Sequence, residues 1–263
     1  MHKTETDIKP ASRIEDICPL SEDSLLNNKI SILQPITGHR SGTDAVLLAA
    51  SVPESGYLVD VGASTGAVGL MASLKSKNRP VWFVEQNEIL GDICRRNVFN
   101  NNLDPSHVLT VSIFNKKTLA EQGLSALSAD CVATNPPFFE AHTVRNSPDQ
   151  GKSDAYILKE GTFKDWILAC ARLIKPKGYL CLIHKAEYVG EILETLSPLF
   201  GEINLRFIHP HEDKPAHRVV IRARKHSGAP IKIKFPLVLH TDQGTFTPEA
   251  ASLHSGEKLS LFK

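Results

Sequence analysis

No run of about 18 consecutive apolar residues occurs in the 263-residue chain, so no segment reads as a membrane-spanning helix. The opening "MHKTETDIKPASRIEDICPLSEDS" lacks the apolar stretch of an export signal, which makes the cytoplasm the expected compartment. Cysteine is sparse and unpaired in spacing. Cys18, Cys94, Cys131, Cys170 and Cys181 are odd in number and contain no CxxC pair, so neither a disulfide framework nor a zinc site is indicated, and no metal is expected. A formal net charge of +1 excludes a strongly basic protein. One local absence qualifies this: no acidic residue stands among Lys214, Arg218, Arg222, Arg224, Lys225, Lys232 and Lys234. That stretch is either a surface for phosphate or a solvated edge strand with basic gatekeepers. Internal repeats and low-complexity tracts are also missing, and nothing in the sequence speaks to oligomeric state.

What is present is an alternation of short apolar strands and amphipathic helices. Residues 1–23 are polar and aperiodic and read as a loose tail; 24–56 read as an N-terminal extension with a short helix at about Thr43 to Ala50, capped by Thr43 or Asp44. From Tyr57 the order is "YLVDVG" strand, "AVGLMASLKSK" helix, "VWFVEQ" strand, "EILGDICRRNVFNNN" helix, "HVLTVSIF" strand and "DCVATNPP" strand. A long polar segment follows, then a helix capped at Thr162 and stopped by Pro176, the strand "KGYLCLIHK", a helix, and the strands "GEINLRFIHP" and "AHRVVIRARK". This predicts an α/β domain over 57–226, a mostly parallel seven-stranded sheet with helices on both faces, and a tail over 227–263 packing on it. The last two strands are joined by only "HPHEDKPAH", too short for a helical crossover, so one strand near the edge runs antiparallel.

In such sheets ligands bind beyond the carboxyl ends of the strands. After the first strand of the domain, Gly62 and Gly66 allow a tight turn at a helix start, although Ser64 occupies the middle glycine position of a dinucleotide fingerprint. The second strand ends in Glu85, where a carboxylate can accept from ribose hydroxyls. The fourth ends in Asn135-Pro136-Pro137-Phe138. There the Asn135 side-chain oxygen and the Pro136 carbonyl can accept both protons of an amine conjugated to a ring and localise its lone pair. The prolines fix φ, and Phe138 can stack on a flat base.

The pieces "HRSGTDAVLLAASVP", "LVDVGASTGAVGL", "VEQNE", "NPPFF" and "PAHRVVIRARK", in this order, resemble the class I S-adenosylmethionine-dependent methyltransferases with an NPP[FY] motif. Within them the chain is similar to the bacterial family that includes the tRNA(Val) adenine-37 amino-group methyltransferases, and its tail resembles that of alphaproteobacterial members. The resemblance implies a Rossmann-like methyltransferase fold with S-adenosylmethionine as cofactor and RNA, in particular tRNA, as partner. It also implies that Asp60, Gly62 and Gly66 surround the methionine part of the cofactor, that Glu85 holds its ribose, that Thr43 and Asp44 close over it, and that Asn135 to Phe138 hold the target amine.

The chain departs from the family at Ser64, at the third strand, where Phe114 and Asn115 replace an acid, and after the motif, where "KSDAY" follows. Asn115 is a candidate acceptor for the cofactor adenine; Phe139, Arg145, Lys152, Arg218, Arg222 and Arg224 are candidates for substrate contact. His217 and Arg218, in "PAHRVVIRARK", match a late strand of the family, where a structural role stands beside a functional one. The acceptor chemistry equally suits a guanine amine in ribosomal RNA or a glutamine amide in a protein. Phe138 and the short N-terminal region weigh against the protein substrate. A non-catalytic RNA-binding module with a degenerate methyltransferase fold is the third reading.

Overall fold

Side-chain alternation along the central strands divides the core in two, because successive residues of a strand point to opposite faces. In the computed structural model, which describes residues 18–38, 40–76, 78–137, 161–257 and 259–262, Leu58, Cys131, Ala133 and Val220 pack into one apolar cluster and Val59, Val61, Val132, Val219 and Ile221 into another. Helices cover both faces. On the first lie α1 (Thr43–Ser51), α2 (Ala67–Ser73), α3 (Glu88–Asn100) and α7 (Pro248–Ser255); on the second, α4 (Lys116–Glu121), α5 (Phe163–Leu173) and α6 (Val189–Leu196).

The strands are β1 (Leu20–Leu25), β2 (Ile30–Pro35), β3 (Leu58–Val61), β4 (Val81–Glu85), β5 (Val108–Thr110), β6 (Ala129–Thr134), β7 (Ile174–Lys185), β8 (Phe200–His209), β9 (Arg218–Lys225), β10 (Lys232–Ile233) and β11 (Leu237–Val238). The main sheet has the order β10-β8-β9-β7-β6-β3-β4-β5, with β11 also on β8. It is a Rossmann-like methyltransferase sheet, and β9 is the reversed strand near the edge, antiparallel to β7 and β8. Two short strands beyond the expected seven, β10 and β11, extend it. They come from the tail, which enters the core through Leu237, Leu239, Leu253, Leu261 and Phe262.

Three local expectations are corrected. Residues 20–23 are not a loose tail: they form most of β1, paired antiparallel with β2, because Ile30 and Ile32 of the partner strand are buried and fix the register. Helix α1 is capped by neither Thr43 nor Asp44; its N-cap is Gly42, and Asp44 sits in the first turn. Helix α5 has the capping box of Thr162 and Asp165 but ends before Pro176. Ile174 is extended, and the Lys225 ammonium donates to the carbonyls of Ala171 and Ile174 at 2.7 Å each, satisfying the end of the helix there. Among the described residues no helix is long and apolar enough to cross a membrane, and no group of three or more His, Cys, Asp or Glu side chains could hold a metal ion.

Candidate active site

One row of the sheet sets the site. Val84, Val61, Thr134, Leu182, Ile221, Leu205 and Ile233 are each in register with the next. The chain leaves β4, β3 and β6 just past that row, at Glu85, Gly62 and Asn135. The strand ends therefore present their functional groups along one carboxyl edge, the place an open parallel sheet offers to ligands.

At β3 the turn is tight. The amides of Gly62 and Ala63 both donate to the Val84 carbonyl, at 2.9 and 3.1 Å. Gly62 (φ +72°) and Gly66 (φ +87°) are left-handed, and added Cβ atoms would stand 3.3 Å from the Trp166 ring and 2.8 Å from Cys94 Sγ. Ser64 is also left-handed, at φ 51°. Its amide donates to Glu85 Oε2 at 2.8 Å, whereas its hydroxyl is buried with no hydrogen-bond partner among the described residues. The missing middle glycine is thus a serine held in a glycine conformation beside the acid of β4.

The two acids differ in role. Asp60 is buried and accepts from the Gly69 amide at 2.9 Å, fixing the start of α2 from below. Burial pushes its carboxyl up to about 7, against the lowering effect of the Gly69 bond and with a further push from Glu85. That geometry gives Asp60 an architectural bond rather than an open one. Glu85 is also raised by burial, opposed by the backbone amides of Asn87, Ser64 and Gln86. Its Oε1 accepts from Asn87 at 2.9 Å and its Oε2 from Ser64, which leaves each oxygen a further lone pair for a ligand.

At β6 the half-buried Asn135 makes no side-chain hydrogen bond to another described residue, and Pro136 is buried. Their position is set one residue earlier: Thr134 Oγ1 donates to the Val61 carbonyl at 2.9 Å and accepts from Trp166 Nε1 at 3.0 Å, locking β6, β3 and α5 together. Sequence reasoning missed Trp166, whose only signal was an indole on the apolar face of a helix. It missed His184 as well, two residues past the partner of Thr134 on β7, which packs edge-on against Phe163 and Tyr188 and is held below its ordinary value chiefly by burial. Asn97 of α3 is a third omission. Wholly buried, it accepts from the Leu33 amide at 2.7 Å and donates to the carbonyls of Leu33 and Thr65 at 2.9 Å, tying the β1–β2 hairpin to the glycine turn.

Several sequence candidates have other work. The Asn115 side chain accepts from Thr118 at 3.1 Å and caps α4. Asp44 pairs with Arg218 at 2.9 Å, joining α1 to β9, and Thr43 opens α1. Arg218, Arg222 and Arg224 do share one face of β9, but α1 and the tail lie over that face. Arg222 stacks over Tyr179 and Phe262, and Arg224, more than a third exposed, pairs with Glu202 at 3.3 Å, so each has a partner within the fold. His217 donates its amide to the Ile208 carbonyl at 3.0 Å, a structural bond. Phe138, Phe139, Arg145 and Lys152 lie outside the described residues.

Residues 40–150 match the family model of the methyltransferase small domain. A tRNA1(Val) (adenine(37)-N6)-methyltransferase of Dyadobacter fermentans is 26% identical over 183 residues, 68% of this chain and 73% of the relative. One of the same description from Aeromonas hydrophila is 24% identical over 217 residues, 81% and 88% of the two chains. Among solved structures, one from Agrobacterium tumefaciens described as a predicted O-methyltransferase superposes with a TM-score of 0.68 at 25% identity, covering 84% of this chain and 99% of that one.

Proposed function

We propose that this chain, an S-adenosylmethionine-dependent methyltransferase with a methyltransferase small domain, methylates the exocyclic amine of an unpaired adenine in tRNA. The observation that carries the reading is the pairing of two rigid acceptors at the end of β6 with the Glu85 carboxylate two strands away on the same edge. The residues fit the cofactor. Glu85 keeps lone pairs for ribose hydroxyls, and the buried Ser64 hydroxyl beside it has a proton to donate and no partner among the described residues. Gly62 and Gly66 bring backbone, not side chain, to the turn.

When bound, S-adenosylmethionine supplies an electrophilic methyl group. Asn135 Oδ1 and the Pro136 carbonyl accept the two amine protons, hold the nitrogen's lone pair toward the methyl group, and offer no competing donor from either proline. Thr134 and Trp166 keep Asn135 in place, so positioning rather than a covalent nucleophile carries the catalysis. Phe138 is assigned the base-stacking role on its sequence position. An adenine presented in this way must be unstacked, which favours a tRNA loop over a duplex. The relatives described as adenine-N6 enzymes support the choice of substrate. The O-methyltransferase description of the solved relative fits less well, because a hydroxyl has one proton for two acceptors.

The test is incubation with labelled cofactor and total RNA from a strain lacking the gene, followed by digestion to nucleosides. Label in N6-methyladenosine is expected; label in a guanine derivative, or none in methyladenosine, would sink the adenine assignment. Asn135→Ala is expected to abolish transfer and to leave calorimetric binding of S-adenosylmethionine nearly unchanged; lost cofactor binding would contradict its role.

A further inference from the structure

Phe235 is 91% exposed, the most open large apolar side chain among the described residues, with Ile233 at 73% and Ile231 at 47%. These alternate with Lys232 and Lys234 in "PIKIKFP", so an apolar row and a basic row flank one edge strand. The exposure is built in. Strand β10 pairs with β8 at Asn204 and Leu205, and β11 returns to β8 at Ile208 and His209. Between them Arg206 Nε donates to the Phe235 carbonyl at 3.0 Å. The backbone is therefore held to the sheet on both sides of a ring turned out to water.

We infer that this edge docks single-stranded RNA of the substrate, with Phe235 stacking on a base and Lys232 meeting a phosphate. The inference rests on RNA being the substrate. Its geometry follows from the register row: Ile233 stands level with Thr134, and β10 runs in the same direction as β6, so Phe235 emerges at the edge that carries Asn135. Four inter-strand steps separate β6 from β10, about 19 Å at the usual spacing. An RNA whose target base enters at Asn135 can thus reach Phe235 with nucleotides outside the reacting one.

A second copy of the chain suits the edge poorly. Pro230 and Pro236 bracket it and cannot donate to an added strand. Antiparallel self-pairing centred on Ile233 would set Lys232 of one copy against Lys234 of the other. Single-stranded RNA has the complementary make-up, with bases on one side of a polyanionic backbone. Moreover, Arg218 and Arg224 of β9 are already ion-paired, with Asp44 and Glu202, and Arg222 stacks on Phe262, whereas no ion pair among the described residues engages Lys232.

The experiment titrates the full chain into a fluorescent RNA stem-loop with unpaired loop adenines. Phe235→Ala is expected to bind about tenfold more weakly. Lys232→Glu should also weaken binding and flatten its dependence on salt. Calorimetric affinity for S-adenosylmethionine should stay at the wild-type value in both, which reports an intact fold. Wild-type RNA affinity in Phe235→Ala overturns the inference and leaves the proposed function standing. Failure of the wild type itself to bind or methylate RNA overturns the function instead. A dimer converted to monomer by Phe235→Ala, with RNA affinity kept, makes the edge a contact between copies and also overturns the inference.

Discussion

A left-handed backbone at a serine and a buried hydroxyl without a partner each cost free energy, and Ser64 bears both. Ser64→Gly removes both, so the protein measured without cofactor should gain about 1 kcal/mol in urea denaturation. Ser64→Ala removes only the hydroxyl, and calorimetric affinity for S-adenosylmethionine should fall about fivefold, the worth of one hydrogen bond. Unchanged affinity would assign Ser64 to crowding rather than contact. Asp60 gives a second prediction, in pH. Its folded value of about 7 lies above the ordinary aspartate value of 3.8, so between those limits the native state holds a proton that the unfolded chain releases. Stability should therefore fall as pH rises from about 4 to about 7 and level off above that; burial raises Glu85 as well and adds to the same slope. Asp60→Asn keeps an oxygen for the Gly69 amide and should flatten much of that slope; an unchanged slope would place the titration elsewhere.

Helix α3 shows how an element can set a site it does not enter. Asn97 joins the β1–β2 hairpin to the turn that carries Ser64, through bonds to both ends of Leu33 and to Thr65. Asn97→Ala leaves those backbone groups without their partner and should cost about 2–3 kcal/mol. Cofactor affinity should fall with it, and hydrogen exchange at Leu33 should quicken; loss of stability with affinity intact would mean the turn holds its shape unaided. The sequence made elements of this kind legible unevenly. The buried strands, and the places of Glu85 and Asn135 at their ends, could be read from apolar runs stopped by punctuation. Asn97 could not, because a buried asparagine in an amphipathic helix looks like a polar residue on its wet face. Nor could β1, whose alternation is carried by Leu, Glu, Asp and Ser and becomes a strand only against β2. The β9 arginines illustrate the same limit: sharing a face was visible, but that α1 and the tail would cover the face was a tertiary fact.

At the scale of the whole molecule the tail is part of the core rather than an appendage to it. Arg206 of β8, nearly buried, donates to the carbonyls of Phe235 and Leu261 at 3.0 Å each and pairs with Glu249 of α7 at 2.8 Å, gathering three points of the tail onto one strand. The Leu261 amide in turn donates to the Ala50 carbonyl of α1 at 2.9 Å, beside the core that Leu253 and Phe262 complete. Removing the Arg206 side chain leaves two carbonyls without their donor and the half-exposed Glu249 carboxylate free to turn to water, so Arg206→Ala should cost about 2–3 kcal/mol, chiefly from the carbonyls. Because the tail and the sheet share apolar contacts, that loss should appear as one cooperative urea transition displaced to lower denaturant, the same by Trp82 and Trp166 fluorescence as by far-UV circular dichroism. An early transition confined to the helical signal, with the tryptophans unmoved, would instead show a tail that melts alone. Phe235 would then owe its exposure to a loosely held edge, and the RNA-docking role assigned to it would lose its rigid support.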